Sequence, residues 1–153
     1  MTVYIGELAI SSPDFANGER MADEFAQDKG NVQPRLTIRG VPKGTVELAI
    51  ICHDPDAPLP FGFTHWTLWG IPADVTEIGR DADQVHRPGP NGAATIGYIG
   101  PQPPSGHGNH HYYFWVYALN KKIEGTPTRS EFLDNHADSI IEQNRLVGIY
   151  SNE

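Results

Sequence analysis

A proline-rich loop that empties straight into an aromatic, β-prone segment is the strongest constraint in this chain. Residues 100–119 read GPQPPSGHGNHHYYFWVYAL. Pro101, Pro103 and Pro104 fix φ and carry no amide proton, so this backbone cannot enter a sheet interior and must hold one bent shape beside it. From His110 onward, the two-residue period of a strand sends His110, Tyr112 and Phe114 to one face and His111, Tyr113 and Trp115 to the other. A polar His/Tyr pair therefore stands at the mouth of a strand that turns apolar further in. Beside a stiff loop this marks a candidate site, because loops on rigid scaffolds carry much of protein function. A solvated polar strand end has the same signature.

The rest of the chain is also β-prone. Residues 45–53 form the clearest strand, with Val46, Leu48, Ile50 and Cys52 on one face and Ala49 and Ile51 on the other. Being apolar on both faces, it belongs at the centre of a sheet. It leads into Asp54-Pro-Asp-Ala-Pro-Leu-Pro-Phe-Gly62, a loop stiffened by prolines, and then into a strand over residues 63–71 that Pro72 stops. Residues 3–10, 36–41 and 93–99 read as further strands, and 146–150 as a short last one. Residues 17–31 read as a solvated loop with one helical turn at 20–25, while 73–91 are turn-rich and RPGPNG at 87–92 is a run of breakers. Thr128-Arg-Ser-Glu131 has the form of a capping box. It opens a helix over about residues 129–143, with Phe132, Leu133, His136, Ala137, Ile140 and Ile141 on one stripe and His136 partly buried there. Several strands and one helix predict a mainly β fold: an antiparallel β-sandwich with one short helix in the C-terminal half and long loops. A length of 153 residues fits a single domain over 1–153.

Composition narrows the function classes. The net charge is −8, and the 11 lysines and arginines form no cluster beyond Lys121-Lys122, which argues against a nucleic-acid partner. Any anion bound here must be captured locally, against the overall field. No apolar run approaches the roughly 20 residues needed to span a bilayer, so no stable membrane insertion is expected. The first residues lack the marks of an export signal, and a lone cysteine, Cys52, cannot form an internal disulfide. A cytoplasmic location is the expectation.

Two proline-stiffened loops adjoin strands and carry clustered polar groups: Asp54, Asp56 and His65 on one, and His107, His110, His111 and Tyr112 on the other. If those strands are neighbours, the groups converge. Imidazoles, a phenol and backbone amides supply donors for phosphate or carboxylate oxygens, while the carboxylates can orient the rings or accept from an amine. The same residue types can bind a metal, but His110 and His111 point to opposite faces and cannot easily share one ion, so no metal or cofactor is expected. A histidine beside a carboxylate is also a general base, which leaves a hydrolase acting on a phosphorylated or ester substrate as the alternative. No attacking group can be named for it. Cys52 reads as buried filler, and no Gly-x-Ser-x-Gly, P-loop or Rossmann signature is present.

At these residues the chain resembles the phosphatidylethanolamine-binding protein (PEBP) family, which includes the Raf kinase inhibitor protein and the flowering-time regulators of plants. It is most similar to the bacterial Raf-kinase-inhibitor-like branch. The resemblance rests on Asp54-Pro-Asp-Ala-Pro58, on Phe63-Thr-His-Trp66 leading to Gly70-Ile-Pro72, and on residues 100–112 followed by Phe114 to Leu119; the Thr128 helix and Leu146-Val-Gly-Ile-Tyr150 fit as well. It implies a β-sandwich with a small anion pocket at one end, formed by Asp54, Asp56, His65, Gln102, Pro104, His110 and Tyr112. Phosphate, acetate, phosphorylated groups or phospholipid head groups are the implied ligands, a homodimer the implied assembly, and regulation of a partner protein such as a kinase a further family role. Two departures stand out. The family's usual Arg after the histidine is His111 here, and no counterpart follows Tyr150 for the C-terminal helix of eukaryotic members. The anion pocket is expected to transfer, whereas a lipid-sized ligand and kinase regulation transfer poorly.

Overall fold

In the computed structural model, which describes residues 4–152, the chain runs β1 (Ala9–Ser11), β2 (Leu36–Arg39), β3 (Glu47–Asp54), β4 (Phe63–Pro72), β5 (Glu77–Ile78), α1 (Ala82–Val85), β6 (Arg87–Pro88), β7 (His110–Leu119), α2 (Arg129–His136) and β8 (Ile140–Tyr150). Two antiparallel sheets result, a three-stranded one in the order β1-β2-β5 and a five-stranded one in the order β6-β4-β3-β7-β8. β3 is central and buried at every residue, as its two apolar faces require. One face, through Leu48, Ile50 and Cys52, joins Trp66, Leu68, Phe114, Val116 and Leu146 in a core shared with Ile10, Leu36 and Ile38 of the smaller sheet. The other face, through Ala49 and Ile51, packs with Trp69, Tyr117 and Leu119 under Phe132 of α2. The fold is thus a β-sandwich with one substantial helix lying outside it.

Several expected elements are re-drawn. The Thr128 capping box is present, with Thr128 Oγ1 accepting from the Glu131 amide at 3.1 Å and Glu131 Oε1 accepting from the Thr128 amide at 2.9 Å. The helix that it opens ends at His136, however, and a 3₁₀ turn over Ala137–Ser139 leads into β8. Residues 140–143, expected to be helical, pair instead with the end of β7, and β8 is one long strand rather than a short one over 146–150. Continuous pairing along β7 outweighs the weak local preference of that segment for helix. His136 is half-buried, with its ring stacked on Phe132 at 6.2 Å.

The strand expected over 93–99 does not form. Asn91 is 7% exposed and holds this segment as a loop: its Oδ1 accepts from the amides of Ala93 and Thr95, and its Nδ2 donates to the Gly97 carbonyl at 2.9 Å. Of the strand expected over 3–10, only residues from Ala9 pair, and Val3 lies outside the described residues. β2 ends at Arg39, before Val41. The polar loop 17–31 contains a 3₁₀ turn at Asp23–Phe25 that buries Phe25. Pro88 is tolerated in β6 because that strand is the sheet edge.

Candidate ligand-binding site

The site forms where β3 ends and β4 and β7 begin, at one end of the five-stranded sheet. Strand alternation from Trp66, which faces the inter-sheet core, would turn His65 away from that face. A β-bulge prevents this. Cys52 pairs with Trp66 and His53 with Thr64, so His65 is an extra residue in β4 that no residue of β3 opposes. Freed from the alternation, its ring packs edge-on against Tyr112 of β7 at 5.1 Å and against Phe63 at 4.8 Å. The loop built by Asn91 delivers the partner that fixes the ring. The Ile99 amide donates to the His65 carbonyl at 3.0 Å, and His65 Nδ1 donates to the Ile99 carbonyl at 2.9 Å.

The proline loop is anchored through its acceptors, which prolines retain. Pro101 accepts from the Gln27 amide at 2.9 Å, Pro103 from Asn152 Nδ2 at 2.8 Å, and Pro104 from the His107 amide at 3.1 Å. Gly100 lies against the Phe25 carbonyl so closely that a Cβ there would collide with it. The loop 55–62 is closed by an Asx turn, in which Asp54 Oδ1 accepts from the Asp56 amide at 2.7 Å. His111 draws the same loop onto β7, its amide and Nδ1 donating to Asp56 Oδ2 at 2.8 and 2.6 Å.

Around the resulting cavity, of about 330 Å³, stand Asp54, Phe63, His65, His110 and Tyr112 from the strands, Ala57, Pro58 and Leu59 from one loop, Gln102, Pro103 and Pro104 from the other, and Gln27. Asp54 and His110 form a buried pair, with His110 Nδ1 2.7 Å from Asp54 Oδ2 and each side chain 3% exposed. His110 Nε2 lies 2.6 Å from Nδ1 of the exposed His107, so the chain Asp54–His110–His107 runs from the buried carboxylate to solvent. Burial depresses the His65 pKa despite the Ile99 carbonyl and the Asp54 charge, keeping that ring neutral near pH 7. Burial, reinforced by Asp54, pushes the Tyr112 hydroxyl well above its ordinary value, so it remains a protonated donor.

Of the residues expected in the pocket, Asp54, His65, Gln102, Pro104, His110 and Tyr112 line the cavity together. Asp56 does not. Its carboxylate turns outward to His111, whose hydrogen bonds outweigh burial and hold its pKa below the usual range. His111, at the position where the resemblance leads one to expect Arg, thus ties the loop to β7 through its imidazole. Pro103, within the expected loop from Gln102 to Pro104, lines the cavity as well, and Gln27 and Leu59 join it unexpectedly; Gln27 sits in a polar stretch that carries no motif. Cys52 is 2% exposed, and burial raises its thiol pKa well above the ordinary value. Among the described residues no three His, Cys, Asp or Glu side chains are grouped to hold a metal ion, and His110 and His111 leave opposite faces of β7.

Comparison with known proteins agrees with this fold. A family model for phosphatidylethanolamine-binding protein matches residues 11–151. The UPF0098 protein PH1269 of Pyrococcus horikoshii is 39% identical over 153 residues, covering 94% of this chain and 76% of that one. LppC of Mycobacterium tuberculosis, named as a lipoprotein, is 36% identical over 149 residues, covering 94% of this chain and 72% of its own. The crystal structure of Escherichia coli YbcL, described as a member of the mammalian PEBP family, superposes with a TM-score of 0.87 at 29% identity, over 97% of this chain and 100% of that one. A sandwich with this strand order, two proline loops meeting around His65, His110 and Tyr112, and a family match over nearly the whole chain lead to one conclusion: the chain belongs to the phosphatidylethanolamine-binding protein family.

Proposed function

We propose that the protein binds a small anionic or phosphorylated group, of the kind found in a phospholipid head group, in the cavity between the two proline loops. The observation that carries this reading is the convergence of the buried Asp54–His110 pair with His65 and Tyr112 around one opening of about 330 Å³. That volume lies at the low end for ligand sites and suits a head group better than a whole lipid. The Tyr112 hydroxyl and the side-chain amides of Gln27 and Gln102 are donors for ligand oxygens, while the His110 ring, held between Asp54 and His107, walls the cavity beside them. The family's name points the same way. Phosphate or phosphoethanolamine at millimolar concentration is expected to shift the NMR signals of His65, His110 and Tyr112, and His65→Ala is expected to abolish those shifts. Undisturbed spectra would refute the reading.

On the same reading the protein works in the cytoplasm as a homodimer and regulates a partner protein. Among the described residues no helix is long and apolar enough to cross a membrane. Cell fractionation and light scattering test the location and the assembly. A hydrolase reading needs an attacking group, and the chain's one thiol, Cys52, is sealed in the core. Turnover of a generic phosphoester or ester that is lost in His110→Ala would favour that alternative.

A further inference from the structure

An anion site is expected to contain a fixed cation, yet no lysine or arginine lines this cavity. Its selectivity therefore depends on where protons sit. Both Asp54 oxygens are engaged, one by the Asp56 amide and one by His110. His65 Nδ1 faces the Ile99 carbonyl at 2.9 Å, and a carbonyl can only accept, so this nitrogen carries the proton of the neutral ring. The lone pair is then on Nε2, which has no hydrogen-bond partner among the described residues and belongs to a side chain that lines the cavity. The titratable groups around the ring are His53 and Asp54 from β3 and His110 and Tyr112 from β7; the segment at Ile99 and Gly100 offers carbonyls, and Phe63 has no charge. Burial dominates this balance and favours the neutral, accepting ring.

We infer that the site selects oxyanions that bring a proton, with one protonated ligand oxygen donating to His65 Nε2 while unprotonated oxygens accept from the Tyr112 hydroxyl and the side-chain amides of Gln27 and Gln102. This deepens the anion reading above and rests on it. Hydrogen phosphate and the monoanion of a phosphate monoester meet both demands. Sulfate has no proton near neutral pH and sets an oxygen lone pair against Nε2. Binding a fully ionised phosphate requires the uptake of one proton from solvent, onto the ligand oxygen or onto Nε2, and no covalent bond of the ligand changes. His65 thus acts as the specificity-determining residue, through its fixed tautomer.

The test is calorimetric titration of the full chain with inorganic phosphate, with phosphoethanolamine and, separately, with sulfate, from about pH 6 to about pH 8.5 in two buffers of different ionisation enthalpy. The inference expects sulfate to bind more weakly than phosphate at neutral pH by roughly tenfold to a hundredfold, the range for one unmade hydrogen bond in a buried site. Inorganic phosphate, which keeps a proton as hydrogen phosphate, is expected to hold its affinity above its second pKa, whereas phosphoethanolamine, whose dianion has no proton to donate, is expected to take up a proton on binding and to lose affinity by about tenfold per pH unit above its second pKa of about 6. Equal affinity for phosphate and sulfate, with no dependence on pH for phosphoethanolamine, would overturn this inference and leave the anion reading in place. Failure of all three ligands to bind would overturn the anion reading, and this inference with it.

Discussion

Replacing His110 by alanine breaks a charge-assisted hydrogen bond at one of the best-buried polar contacts in the molecule. The bond to Asp54 is 2.7 Å long, and both side chains are 3% exposed. A hydrogen bond to a charged group contributes about 1.5–3 kcal/mol, and leaving a buried charge without its partner costs about 3–5 kcal/mol in all. Asp54 keeps the Asp56 amide and borders the cavity, where water can reach it, so the lower end applies, about 3 kcal/mol. In a chain of this size that lowers Tm by about 6–12 °C. The comparison is His107→Ala, which removes an exposed ring joined to the same His110 and is expected to change stability by no more than about 0.5 kcal/mol. Urea denaturation of His110→Ala, Asp54→Ala and the double variant completes the cycle, and the double variant should lose about 2 kcal/mol less than the sum of the singles. If His110→Ala melts within about 2 °C of the wild type, or if the two single losses simply add, the pair does not hold the site together as argued.

Three further outcomes follow from the same structure. Burial, helped by the nearby Arg129, depresses His53 from 6.5 to about 4. The unfolded chain therefore binds more protons between those values, stability falls by up to roughly 3 kcal/mol as pH drops through that window, and His53→Gln should flatten that part of the stability–pH curve. Asp56→Asn weakens the tie between the loop 55–62 and β7, so the His111 amide, which donates to Asp56 Oδ2, should exchange with deuterium faster while Tm moves by only about 1–2 °C; an unchanged exchange rate would count against the tie. Cys52 is buried and its thiol is held protonated, so a thiol reagent should label it only at the rate of unfolding; rapid labelling of the native protein would contradict the packing around β3.

Much of the site can be read along the chain. The shared face of His110 and Tyr112 is a property of any strand, because alternation is set by the backbone itself. The apolar run of β3 and the Thr128–Glu131 reciprocal cap likewise depend on residues within a few positions of one another; the cap appears where its pattern places it, and the strand starts at Glu47, leaving the expected Val46 exposed outside it. The stiffness of both loops comes from proline rings and needs no partner.

What decides the site is longer-ranged. His65 reaches the cavity only because β4 carries one residue more than β3 opposite it, a consequence of pairing register that β4's own residues do not reveal. Its tautomer is set by a carbonyl 34 positions away, and the closing of Asp54 on His110 spans 56. Of the two carboxylates in Asp54-Pro-Asp56, alternation cannot say which one turns inward, since both sit at a turn; His111, on the outer face of β7, takes Asp56 away. Residues 140–143 become strand because β7 offers them a full set of backbone partners. Local sequence thus determined which side chains each segment could present, and the distant pairings that satisfy backbone hydrogen bonds and bury apolar surface decided which of them meet.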